Sequence, residues 1–357
     1  MESSEAFASR WWGPPSRRWQ WGLWTGLLRL GLPLADGMPG LVEWHGALMI
    51  SAFLGTLISL ERAVAIGRWA YAAPCASAIG ALALLIGAPW GAALAFLSAA
   101  LALLGVSVSV AVRHMALFTL VPVIAAACWG TGTLAWMLGY SMRDVAGWWL
   151  AFLVLTIAAE RLELSRLLAP PRINRLAFAL TVALILLGAG RNEFAVGQAV
   201  FTGFGFLTLT AWLVRYDVVT RTIRRPGQPR FSAICMMGGY AWLAGAGMML
   251  LVKAPDSATF SYDVAIHAVT VGFVLSMLFG HAPTILPAVT GVRGRINAHV
   301  YAPLALLHLS LLLRIVGDFT EWISLRATGG LLTVLSLAGY GGLLIATTYT
   351  KRAGRGG

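Results

Sequence analysis

Charge is scarce in this chain. Asp, Glu, Lys and Arg make up 11% of its 357 residues, less than half of the roughly 25% found in soluble globular domains, and the shortfall excludes an ordinary water-soluble fold. Cysteine is scarce as well. Cys75, Cys128 and Cys235 stand far apart inside apolar runs, with no CxxC to form a dithiol pair and no CxxCH to attach a c-type haem. No glycine-rich phosphate loop, Ser/His/Asp constellation or nucleotide fingerprint follows a strand–helix pattern. Short hits such as Gly130-Thr131-Gly132 fall in apolar runs, where small residues serve helix packing.

What is abundant is hydrocarbon: 59% of the residues are hydrophobic. Divided into stretches of about 20 residues, the length needed to cross a bilayer, the chain yields twelve apolar runs. They lie at 19–35, 44–66, 70–87, 90–112, 114–139, 147–167, 174–190, 193–216, 230–252, 264–288, 297–316 and 322–350. The fold expected is all-α and integral to the membrane, a single polytopic domain over 1–357. With residues 1–18 placed in the cytoplasm, most of the 26 basic residues fall on that side, among them Arg17, Arg62, Arg161, Arg172, Arg221, Arg293 and Arg352. This bias predicts twelve helices, with the tail at 351–357 also cytoplasmic. The formal charge of +12 is then the mark of basic cytoplasmic loops beside membrane lipid, not of affinity for nucleic acid. The start, ASRWWGPPSRRWQWG at 8–22, lacks a small-residue cleavage site and reads as a retained cytoplasmic segment. The inner ends of runs two, six and ten share Glu-Arg at 61–62 and 160–161 and Arg-Ile-Asn at 172–174 and 295–297. Either three four-helix arcs repeat, or basic residues simply recur at inner helix ends.

Histidine is costly in hydrocarbon and is expected there only when paired or working. The stretch HAVTVGFVLSMLFGH puts His267 and His281 on one apolar run, about 21 Å apart along a helix axis and on nearly the same face. His45 opens run two at its outer end and shares a level with His267, with Met49 one turn below. His308 lies mid-run, where only a functional or hydrogen-bonded role explains it. His281 reads equally as a helix-terminus residue or a ligand, and His114 and His299 read as interfacial. Two imidazoles on different helices at one depth suit the axial positions of a haem iron. A zinc ion would want four ligands, and the sequence places no carboxylate or thiolate beside the pair; a proton relay is the remaining choice. Arg314 and Arg326, near the same outer level, are suited to haem propionates, Asp318 being the one evident helical partner of Arg314.

At these residues the sequence resembles a family. LVEWHGALMISAFLGTLISLERAV (41–64) resembles the WHxHEMxFGF region of NnrS proteins, HAVTVGFVLSMLFGHAPTILPAVTGVR (267–293) their HxFTVGxxxxMxxG segment, and YAPLALLHLSLLLRIVG (301–317) their penultimate helix. The resemblance implies a twelve-span bacterial inner-membrane protein of nitric oxide or respiratory redox handling, with haem b, copper as a second metal, and a respiratory redox partner. More remotely it implies the three-arc fold of haem–copper oxidase catalytic subunits. The match to the motif is partial. Ala47 and Leu48 stand where the family has its second histidine and its acid, and Val269 stands where oxidases have a further haem ligand. Runs six and seven hold no histidine for an oxidase-type copper triad, which argues against oxygen reduction. The cofactor site expected is His45, His267, Met49, Arg314 and Arg326, with His45, His267, His281 and His308 as metal-ligand candidates. A secondary transporter or proton- or metal-conducting protein with titrating histidines, and an assembly partner of a respiratory complex, are the competing readings.

Overall fold

The computed structural model describes Gly26 and residues 42–168, 171, 173–190, 196–252, 261–290 and 297–353. Among them every regular element is helical. Eleven long elements follow one another: α1 His45–Ile66, α2 Ala72–Leu85, α3 Pro89–Arg113, α4 Leu117–Met137, α5 Met142–Ser165, α6 Ile173–Ala189, α7 Val196–Tyr216, α8 Gln228–Val252, α9 at 261–290, α10 Tyr301–Phe319 and α11 Ile323–Ala353. They correspond in order to the second through twelfth apolar runs; the first run, Gly26 apart, lies outside the described residues. Nine are long and apolar enough to cross a membrane, so the chain has the architecture of an all-α, multi-pass membrane protein. The two shorter helices are α2 and α6, with 14 and 17 residues. Fourteen residues of α-helix rise about 21 Å, against a hydrocarbon core about 30 Å thick.

The helices end where backbone chemistry lets them turn. Gly67, at φ 102°, closes α1, and Gly139, at φ 95°, follows α4; both conformations are open to glycine and strained for side chains with a Cβ. Short links make sequence neighbours into packed antiparallel pairs, α2 with α3, α3 with α4, α4 with α5, α6 with α7 and α10 with α11. The last pair packs backbone to backbone: a Cβ on Gly329 would stand 2.7 Å from Arg314 N and 2.6 Å from Ser310 O. The outward faces carry large apolar side chains such as Ile79, Leu94, Leu101, Leu180 and Leu312, each at least half exposed. That surface suits lipid, since soluble monomers rarely show contiguous apolar patches of this kind.

Two helices sit at the centre. The most apolar stretch of α5 is 83% buried and that of α9 is 72% buried, against 22% for α11. Both α1 and α9 contain an eight-residue π-helical segment, Leu48–Gly55 and Ala268–Leu275. Such segments are rare and recur at functional sites. They shift backbone carbonyls out of the usual register, and hydroxyls take up the slack: Ser77 donates to Ser51 O at 2.8 Å and Thr56 to Ala52 O at 2.6 Å in α1, while Thr270 donates to Ile266 O at 2.8 Å in α9. One segment starts three residues after His45 and the other immediately after His267.

Candidate functional site

A partly open cavity lies between α1, α9, α10 and α11. His45 and Met49 enter it from α1, Asp263 and His267 from α9, Arg314 from α10 and Arg326 from α11; Val271, Leu275, Leu311, Val334 and Leu337 make its apolar walls. The five side chains expected at a cofactor site thus line one cavity, drawn from four helices. Helix rise accounts for the shared level: His45 and His267 each begin a span, whereas Arg314 ends α10 and Arg326 begins α11. Gly26 also borders the cavity, and a Cβ there would stand 2.8 Å from His45 Cε1.

Asp263 is the residue that the sequence reading missed. It stands one helical turn before His267, just outside the run drawn at 264–288, and a carboxylate one turn from a histidine was the signal available. Its backbone carbonyl accepts from His267 Nδ1–H at 2.8 Å, and its carboxylate Oδ1 lies 3.5 Å from the same nitrogen. Its Oδ2 accepts from Arg314 Nη2 at 2.6 Å and Nε at 3.1 Å, and stands 3.1 Å from Arg326 Nη2. Arg326 Nε in turn faces Asp318 at 2.7 Å. Two expectations are corrected here: a carboxylate does adjoin the histidine pair, and Arg314 is bound to Asp263 while Asp318 goes to Arg326. Each of the four charges has an opposite within reach, as burial in a low-dielectric site demands.

A carbonyl oxygen only accepts, so the contact with Asp263 O fixes the proton of His267 on Nδ1. In the neutral ring the lone pair then belongs to Nε2. Anchoring one ring nitrogen to a carbonyl or carboxylate is the usual support of a metal-ligating histidine. At His308 and His281 a donor meets the imidazole lone pair. Trp242 Nε1–H, which can only donate, bonds His308 Nδ1 at 2.9 Å and occupies its lone pair. Arg161 Nη2 donates to His281 Nε2 at 2.7 Å, while His281 Nδ1–H donates to Met277 O at 2.8 Å. Of the four metal-ligand candidates, the structure brings His45 and His267 together and places His281 and His308 elsewhere, each with its lone pair engaged. His281 also leaves the face of His267: π turns carry more residues than α turns, so the fourteen-residue spacing no longer returns both rings to one side. His114 and His299 are exposed and belong to neither group. Among the described residues no three His, Cys, Asp or Glu side chains are grouped to hold a bare metal ion.

The sequence profile of a family described as a domain of unknown function, DUF8744, matches residues 19–349. This chain belongs to the DUF8744 family. No curated protein and no solved structure matches it. In this DUF8744 protein the cavity is the feature that bears on function.

The donor set and the walls fit a haem. Two imidazoles on separate helices can supply axial nitrogens, aliphatic side chains can flank the macrocycle, and two arginines sit where carboxylates of a ligand can be met. A guanidinium carries five N–H donors, and Asp263 engages only two of the nitrogens of Arg314.

Proposed function

We propose that this DUF8744 protein is a haem b-binding protein of the bacterial inner membrane, of NnrS type, with His45 and His267 as the axial ligands. The observation that carries the reading is the state of His267: its Nδ1–H is tied to Asp263 O at 2.8 Å, and the ring borders the same cavity as His45. Arg314 and Arg326 are assigned to the propionates and Met49 to the edge of the pocket. Haem held there would supply one-electron redox chemistry, which suits nitric oxide or respiratory redox handling with a membrane redox partner. In this reading twelve spans cross the bilayer, both termini are cytoplasmic, and the cavity faces outward.

The deciding measurement is an absorption spectrum of the protein purified in detergent. A red preparation whose reduced form shows the split bands of a low-spin haem supports the assignment. A colourless one, still colourless after incubation with hemin, sinks it and favours a transporter or an assembly partner. The fit around His45 makes a finer expectation. A side chain at position 26 would collide with the imidazole, 2.8 Å from where a Cβ would stand, so Gly26→Val is expected to lower haem content at least about tenfold, as lost ligand support does elsewhere. Full haem content in Gly26→Val would remove His45 from the ligand pair. Topology is tested separately: reporters fused at Gly227 and Pro255 are expected on opposite sides of the membrane, and equal labelling of the two overturns the twelve-span arrangement.

A further inference from the structure

At the other end of α1, α5 and α9 lies a second buried polar group that the haem reading does not use. Helix rise places His281 about 21 Å and Glu61 about 24 Å along their helices from the cavity histidines. Arg62 of α1 pairs with Glu160 of α5 at 2.8 Å. The next residue, Arg161, is only 4% exposed, and its surroundings are unusual for a buried cation. It donates from Nη2 to His281 Nε2 at 2.7 Å and from Nη1 to the Met236 thioether at 3.2 Å, two neutral acceptors. The carboxylate nearest to it, Asp217, stands 4.0 Å from its Nε, beyond hydrogen-bond reach, and that N–H has no acceptor among the described residues. Asp217 itself is wholly buried, with Tyr240 O–H donating to Oδ2 at 2.5 Å and Val219 N–H to Oδ1 at 3.0 Å.

A guanidinium is a donor only, so Arg161 can remain on His281 only while Nε2 keeps its lone pair. A proton on that nitrogen turns acceptor into donor and sets cation against cation. The nearest place for the displaced guanidinium is Asp217, since a shift of about 1 Å brings Nε–H into hydrogen-bond range and satisfies it. We propose that Arg161, His281 and Asp217 form a proton-operated switch, in which a proton taken by His281 from the aqueous phase at this end moves Arg161 from the imidazole to the carboxylate. The proton comes from water and rests on Nε2; no other bond is made or broken. His281 is half-buried, so part of the ring is open. The charged and titratable groups around it are Glu61 and Arg62 on α1, Glu160 and Arg161 on α5, Asp217 after α7, Cys235 and Tyr240 on α8, and Tyr340 on α11; between Ser276 and Thr290 its own helix carries no other charge.

The test is a titration of the full chain in detergent, with arginine and histidine nitrogens labelled with ¹⁵N and followed by nuclear magnetic resonance. Expected is one histidine that passes from the Nδ1–H form to imidazolium as the pH falls, and one arginine Nε signal that moves with the same midpoint. His281→Gln keeps an acceptor for Arg161 and should remove both transitions. Asp217→Asn, which takes away the second seat, should weaken proton binding at His281 at least about tenfold, the scale of a lost neighbouring charge. A static ion lock gives a different result: no arginine signal follows the histidine, or Asp217→Asn leaves the midpoint in place, and either outcome overturns the switch. Should Asp217→Asn fail to fold, the linked wild-type transitions and their loss in His281→Gln decide the matter alone.

Discussion

Replacing His267 with Ala is expected to strip the low-spin spectrum from the purified protein and to cut retained haem at least about tenfold, with the same result for His45→Ala and no loss for His281→Ala. The size follows from coordination: if the two imidazoles hold a haem as proposed, either substitution would remove a ligand, and even the outer partners of such ligands typically hold 10–100-fold in affinity. The contrast between the two histidines of α9 is the informative part. Both hold Nδ1–H on the carbonyl four residues back, but His267 borders the cavity whereas His281 meets Arg161 through Nε2. Spectral loss from His281→Ala alone, or a full spectrum in His267→Ala, would reverse the assignment. Haem content by pyridine haemochrome assay, read beside protein concentration, makes the measurement independent of how well each variant expresses.

The second large effect is expected at Asp263. Its carboxylate meets Arg314 at 2.6 Å and Arg326 at 3.1 Å, and no side chain of the three is more than 20% exposed. Asp263→Ala leaves Arg314 as a buried cation without its partner, and removing one member of a buried pair costs about 3–5 kcal/mol. Thermal or denaturant unfolding in detergent should show a loss near that range. Removing the cation as well, in Asp263→Ala/Arg314→Leu, should return about half of it, since the cost lies in the stranded charge and not in a lost attraction. A single variant within about 0.5 kcal/mol of wild type, the scale of ordinary surface substitutions, would mean that water or lipid headgroups already screen these arginines.

Much of the fold is visible in the amino-acid order because the membrane is a demanding solvent. A run such as 90–112 has to be a helix, since only internal hydrogen bonds can satisfy its backbone in hydrocarbon; the structure gives Pro89–Arg113. Depth is also legible. A fixed rise per residue places His45, Met49, His267, Arg314 and Arg326 near one level from their positions in their runs, and all five border one cavity. Rotation about the helix axis is not legible in this way. The π segment Ala268–Leu275 interrupts the α period between His267 and His281, and single-residue spacing cannot announce it. Partner choice is hidden too: Arg314 and Asp318 sit one turn apart in α10, yet the ion pair of Arg314 runs to Asp263, 51 positions away.

By itself, then, the sequence determined the solvent, the helical class and the level of each polar group along its span, because hydrophobicity and helix rise are local properties. Only the tertiary structure decided which level-matched groups meet, that Asp263 is the hub between His267 and the arginines, and that His281 faces Arg161 instead of a metal. Those outcomes depend on the azimuth of each helix and on which helices are neighbours, and both are fixed by packing between segments far apart in the chain.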